Sequence, residues 1–143
     1  MQTAEVVVEQ LKEAGINAVI NPVDWNTWLQ DCYTDRKYQS TICAITSDMT
    51  PGYLMNRFQT ESKKNFINFA SAAYDETYQK AAAAMDPEEK AGYYKQLQQI
   101  LNDEAGSAFI QVPPITIAVN PKLAGYVFYP VYVQDMSTVY FFE

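Results

Sequence analysis

The residue pattern predicts an α/β fold, a mixed β-sheet flanked by helices, and three observations lead to it. Segments of helical period alternate with segments of period two, in the order α-β-α-β, a long connection, then α-α-β-β. The last third changes character, because aromatic and β-branched residues crowd residues 108–142 while prolines interrupt them. The 143 residues are 48% hydrophobic, which suits one domain with a real core and excludes a disordered chain.

The first helix is expected over Thr3 to Ala14, with Val7, Leu11 and Ala14 on one face and Glu5, Glu9 and Lys12 elsewhere. Gly15 follows as the residue that stops it in the left-handed region. Residues 16–23 alternate apolar and polar positions and end near Pro22, which reads as a strand. Asp24 is a good N-cap for a helix over Trp25 to Thr34, where Trp25, Trp28, Leu29 and Cys32 recur at helical spacing. Tyr38 to Thr46 is rich in Thr, Ile and Tyr and reads as a buried strand. Periodicity is lost from Ser47 to Ala72, a long connection with room for a short helix at Tyr53 to Phe58; connections of this length are commonly functional.

Two helices come next, over Tyr74 to Met85 and from Asp86-Pro87, as N-cap and first helical residue, to about Ala105. Tyr94, Leu97, Ile100 and Leu101 form the buried stripe of the second, and Glu88 and Glu89 sit in its first turn, where the macrodipole favours acids. Strands are expected over Ala108 to Val119, with a break or sheet edge at Pro113-Pro114, and over Gly125 to Tyr132 and Ser137 to Phe142, after a turn at Asn120-Pro121. Tyr126, Tyr129, Tyr132 and Tyr140 then read as half-buried sheet residues.

Charge and composition narrow the function. Ten Lys and Arg face seventeen Asp and Glu, and the net charge of −7 disfavours nucleic acid and anionic lipid as partners. Histidine is absent, which removes the commonest general base and the commonest transition-metal ligand. Ser47 has no evident activating base, neither cysteine lies in a metal-ligand spacing, and no glycine-rich phosphate loop occurs; the expectation is a protein without catalysis, cofactor or metal. Cys32 and Cys43 read as small buried hydrophobes, with a disulfide in an oxidising compartment as the alternative. No stretch is long enough to span a membrane and no export signal precedes the first helix. The chain opens on a helix leading into a strand, without the strand that would start a βαβ unit, so it reads as a piece of a longer protein.

Several stretches, in order, resemble the family 5 extracellular solute-binding proteins, the peptide/nickel type that serves ABC importers. They are residues 4–18, with Leu11, Gly15 and Ile16 at the positions of an "L-x-x-x-G-I" element; Val23-Asp24-Trp25-Asn26-Thr27-Trp28-Leu29; and Tyr74-Asp75-Glu76-Thr77-Tyr78-Gln79-Lys80-Ala81, followed by residues 85–101 from Met85-Asp86-Pro87 to Ile100-Leu101, similar to the family's paired helices. Residues 106–117 stand in the place of a following strand. The resemblance implies that residues 1–143 are a single C-terminal lobe of a two-lobed, Venus-flytrap fold whose N-terminal lobes and export signal lie elsewhere. It implies capture of a peptide or other small solute outside the cytoplasmic membrane, in a periplasm or as a cell-surface lipoprotein, and delivery to a membrane ABC permease, with no chemical step. A nickel chelate or haem as cargo, and a sensor or interaction module of the same fold, are the alternatives.

The same resemblance points to site residues. Ile45-Thr46-Ser47-Asp48 stand where the family has a Trp-x-x-Asp element whose acid receives a peptide's ammonium group, so Asp48 is the first candidate, with Ile45, Thr46 and Ser47 beside it. A carboxylate suits an ammonium in a closed cleft because charge-assisted hydrogen bonds outweigh neutral ones; the structural reading of Asp48 is a turn cap before Pro51. Two departures touch this pocket: Ile45 replaces the Trp, and Thr50 stands where a second acid is usual. Trp25 is the second candidate, an aromatic wall that accepts varied side chains, against a plain core role for Trp25 and Trp28. Tyr53 and Asn56 are further lining candidates.

Overall fold

Capping residues decide where several helices of this chain begin or end. The computed structural model describes residues 2–46, 50–112, 114–129 and 134–142. Residues 1–106 and 107–143 form two compact units. In the first unit, α1 spans Gln2–Glu13. Gly15, at φ +80°, lets Ile16 N–H reach Leu11 O (2.8 Å) and its own N–H reach Lys12 O (2.9 Å), a pair of hydrogen bonds that closes the helix as expected. Val7 and Leu11 of the expected apolar face are half-buried, Ala14 is exposed, and α1 has no fully buried residue.

A short helix α2, Trp25–Thr27, continues as a π-helical segment, Trp28–Thr34. Asp35 N–H donates to Gln30 O (2.9 Å), a backbone bond that reaches back five residues as a widened turn requires, and the Thr34 hydroxyl donates to Leu29 O (2.9 Å) beside it. Helix α3, Pro51–Met55, ends in a 3₁₀ turn, Asn56–Phe58, placing helical structure two residues ahead of the expected start at Tyr53. Asn65 ties down the loop that follows, its buried amide donating to Gln59 O (3.0 Å) and Phe69 O (2.7 Å).

Helices α4, Ala72–Ala83, and α5, Pro87–Asp103, pack against each other and hold the core. Ser71 caps α4 by accepting from Tyr74 N–H (3.2 Å), and its hydroxyl donates to Glu104 at the far end of α5 (2.9 Å). Asp86 caps α5 through Glu89 N–H (2.8 Å), with Pro87 at the first helical position as the sequence indicates. Tyr74, Ala81, Leu97 and Leu101 are sealed between the two helices, joined by Met55 and Phe58 of the preceding turn and flanked by half-buried Ile67, Phe69, Tyr94 and Ile100. Two tyrosines staple α3 to α4: Tyr74 Oη donates to Met55 O (2.8 Å) and Tyr78 Oη to Gly52 O (3.3 Å).

The second unit holds the only ladder among the described residues, antiparallel β1, Leu123–Ala124, and β2, Tyr140–Phe141, with Leu123 opposite Phe141 and Ala124 opposite Tyr140. Gly125 follows β1 at φ +77°, and a Cβ there would collide with the carbonyl of Thr138, so only glycine lets the strands approach.

The longer strands expected over residues 16–23, 38–46, 108–119 and 125–132 carry no ladder among the described residues; the one expected over 137–142 shrinks to Tyr140–Phe141, and its partner Leu123–Ala124 lies ahead of the expected start at Gly125. Alternation and β-branching mark residues suited to a sheet, but a ladder also needs a second strand in register, which no local pattern supplies. Tyr132 lies outside the described residues. This architecture is too little to establish a mixed-sheet lobe and does not conflict with one. Among the described residues no helix is long and apolar enough to cross a membrane.

Candidate functional site

The first turn of α2 presents an aromatic platform. Asp24 accepts from Asn26 N–H (2.9 Å), Thr27 N–H (3.2 Å) and the Thr27 hydroxyl (2.6 Å). The Thr27 hydroxyl, followed by the Thr27 amide, holds the Asp24 carboxyl below its ordinary range. This cap sets Trp25 and Trp28 one helical turn apart, and their rings stack with centroids 5.0 Å apart and planes 10° off parallel.

The two indoles have different roles. Trp25 is 61% exposed and offers its outer surface to solvent. Trp28 is half-buried, edge-on to buried Phe66 (5.5 Å) and tilted against Tyr33 (6.1 Å), while Tyr33 packs on Phe66 (5.3 Å). Its indole N–H donates to Thr41 Oγ1 (2.9 Å), fastening the helix to the segment that runs on to Ile45 and Thr46. Tyr38 Oη donates to Phe66 O (2.9 Å) and ties that segment to the same cluster; burial pushes its phenol above the ordinary value. A rigid, backed indole with one free face can take an apolar or aromatic group by stacking, without ordering mobile side chains first.

The other candidates are distributed around this platform in sequence. Ile45 is 40% exposed and Thr46 is exposed. Ser47 and Asp48 lie outside the described residues. Tyr53 is 39% exposed, with the Lys64 ammonium 3.7 Å from its ring centroid and the Arg57 guanidinium carbon at 6.0 Å. Asn56 accepts from the Ser62 hydroxyl (3.1 Å) and lines an open polar cleft of about 370 Å³, together with Gln59, Ser62, Lys63, Asp75 and Gln79. Of the described sequence candidates, Asn56 alone lines that cleft, and neither Trp25 nor Trp28 does.

Phe66, Tyr33 and Thr41 were missed by sequence reasoning, and so were Arg57 and Lys64. Phe66 falls in the aperiodic stretch after residue 47, where no spacing marks it as the backing of a tryptophan; Lys64 is visible only as half of an adjacent basic pair. Cys32 and Cys43 are both free and half-buried, and burial raises the Cys43 thiol above its ordinary value. No group of three or more metal-ligating side chains occurs among the described residues.

No protein-family model matches this chain, and no curated protein matches it either.

Proposed function

We propose that this chain is a ligand-binding lobe of a family 5 type solute-binding protein, the substrate-binding component of an ABC importer that captures peptides outside the cytoplasmic membrane. The observation that carries the ligand side of this reading is the Trp25 indole, largely exposed and stacked on Trp28, which is itself packed against Phe66 and Tyr33. An aromatic surface of this kind holds side chains of varied identity, because stacking and apolar contact demand no particular partner. The Trp28–Thr41 bond, which joins the platform to the segment running towards Asp48, supports a single binding region for apolar and ammonium groups. The ordered motifs of residues 4–29 and 74–101 support the family.

In this reading the Asp48 carboxylate receives a ligand ammonium, Trp25 and Ile45 receive the adjoining side chain, and a second lobe of the full-length protein closes over them by hinge motion. Capture and release complete the task, and the membrane permease is the partner that receives the cargo. Native mass spectrometry of the longest product of this sequence, purified from its own host, is the test. A ladder of peptide masses is the expected result, with Asp48→Asn weakening amine-bearing ligands about tenfold. A single defined non-peptide mass overturns the peptide cargo. A preparation without small ligand, bound instead to another protein, overturns transport in favour of an interaction module; exposed Val112 and Ile115 in the second unit are apolar surface of the kind that reading needs.

A further inference from the structure

The chain has two cysteines, and the fold turns both towards one contact. Cys32 lies on the π-helical segment four residues after Trp28, so it shares a helix face with Trp28 and with Tyr33, whose rings pack on each other and on Phe66. Cys43 lies two residues after Thr41 on a segment whose burial alternates: Thr41 and Cys43 are half-buried, Ile42 and Ala44 exposed. Thr41 and Cys43 therefore turn to the same, inward side. Two hydrogen bonds set that side against the helix face. The Trp28 indole N–H donates to Thr41 Oγ1 (2.9 Å), and Tyr38 Oη donates to the carbonyl of Phe66 (2.9 Å).

Electrostatics agree with this placement. Burial raises the Cys43 thiol above its ordinary value, the Arg57 guanidinium pulls it back, and charge on Cys32 pushes it up again. Burial raises the Tyr38 phenol too, and charge on Cys32 and on Cys43 adds to that rise. Both thiols thus lie within electrostatic reach of one phenol and of each other, and both are free and half-buried. As apolar filler a half-buried cysteine needs no second thiol beside it.

We propose that Cys32 and Cys43 are an oxidisable pair, closing an internal disulfide that fastens the segment running to Ile45 onto the Trp28 helix face. The oxidant is a small-molecule disulfide. One cysteine thiolate attacks it, forming a mixed disulfide and releasing one small thiolate. The second cysteine thiolate then attacks the protein-side sulfur, the internal S–S bond forms, and the other small thiolate leaves. The two protons lost by the cysteines are taken up by the two small thiolates, so the pair gives two electrons to the oxidant. A disulfide holds its Cα atoms about 4.4–6.8 Å apart. The Cys43 segment is free to settle at that spacing, because side-chain bonds at Tyr38 and Thr41 hold it close and no strand ladder fixes it among the described residues. The pair stands apart from the solute-binding function proposed above.

The test is exchange of the full chain with excess oxidised glutathione, read by mass spectrometry and thermal melts. Trypsin cuts after Arg36 and Lys37, so an internal bond joins peptides 13–36 and 38–57 in an unreduced digest. The expected product is a monomer that has lost two hydrogens, carries that link and no longer reacts with iodoacetamide. Because the bond closes a loop in the unfolded chain, the oxidised form should melt about 5–10 °C above the reduced one. Cys32→Ser and Cys43→Ser should each abolish this oxidant-dependent rise. If either variant fails to fold, native chain alkylated with iodoacetamide before oxidation serves as the same control. Two free thiols after exchange, glutathione retained on a cysteine in place of the 13–36 to 38–57 link, or a link found only between chains overturns the pair. The link without any rise in melting temperature overturns its fastening role.

Discussion

The paired helices α4 and α5 and the described part of the still more apolar stretch 107–143 treat their apolar residues in opposite ways. Tyr74, Leu97 and Leu101 of the helices are essentially sealed, whereas Val112 is 96% exposed and Ile115 and Phe141 are largely so. The difference lies in how each segment finds partners. A helix satisfies its own backbone and lines up residues three and four apart, so two neighbours joined by a short turn can close a core on each other. A β-rich stretch leaves its backbone groups for another strand, and the register it needs is non-local. Apolar content alone therefore says little about burial.

The comparison can be broken most sharply at Leu97. Leu97→Ala should destabilise the first unit by about 3 kcal/mol in a denaturant titration, from lost burial plus the cavity left between α4 and α5; a loss under about 1 kcal/mol would mean that the helix pair is not the centre of stability.

Tyr74→Phe comes next. It removes the hydroxyl that Met55 O accepts at 2.8 Å in a site closed to water, for about 1–2 kcal/mol. It also has a pH signature. Burial raises the Tyr74 phenol well above its ordinary value of 10.0. The unfolded phenol ionises first, so the stabilisation is fully present below pH 10 and is lost as pH rises from there towards the folded value. Alkaline melts of the wild type should therefore fall more steeply above pH 10 than those of Tyr74→Phe; parallel curves would place the hydroxyl in water.

A smaller effect has the opposite sign. Helix α5 ends in the same double closure as α1, with Gly106 N–H on Leu101 O and Ala105 N–H on Asn102 O, but Ala105 holds the left-handed position at φ +50° where α1 has Gly15. Ala105→Gly should stabilise the chain by about 0.5–1 kcal/mol, because glycine carries no Cβ penalty there. Smallest of all is Val112→Ser, expected to change stability by less than about 0.5 kcal/mol; a loss near that of Leu97→Ala would show that this residue is covered.

Legibility in the sequence follows the same division. The stop at Gly15, the caps at Asp24 and Asp86, Pro87 at the first helical position and the Leu97 and Leu101 stripe are read from side-chain chemistry acting within four or five residues, and all appear in the fold. The cap at Ser71 was overlooked because the helix it starts is rich in alanine and shows little periodicity, so its first turn is hard to place. At the site, Trp25 and Trp28 stood out at once, but which indole faces solvent did not. Three residues of separation puts them on one side of a helix and leaves open what covers that side.

By itself the sequence determined most of the helices, several of their ends and the chemistry available: an acidic chain without histidine, with two tryptophans three residues apart on a capped turn. Only the tertiary structure decided that Phe66, far along the chain, backs Trp28 and leaves Trp25 free, and that Arg57 and Lys64 share the Tyr53 ring. The reason is physical: caps and turns are settled by bonds between near neighbours, whereas burial and charge pairing depend on which distant segments the collapsed chain brings together.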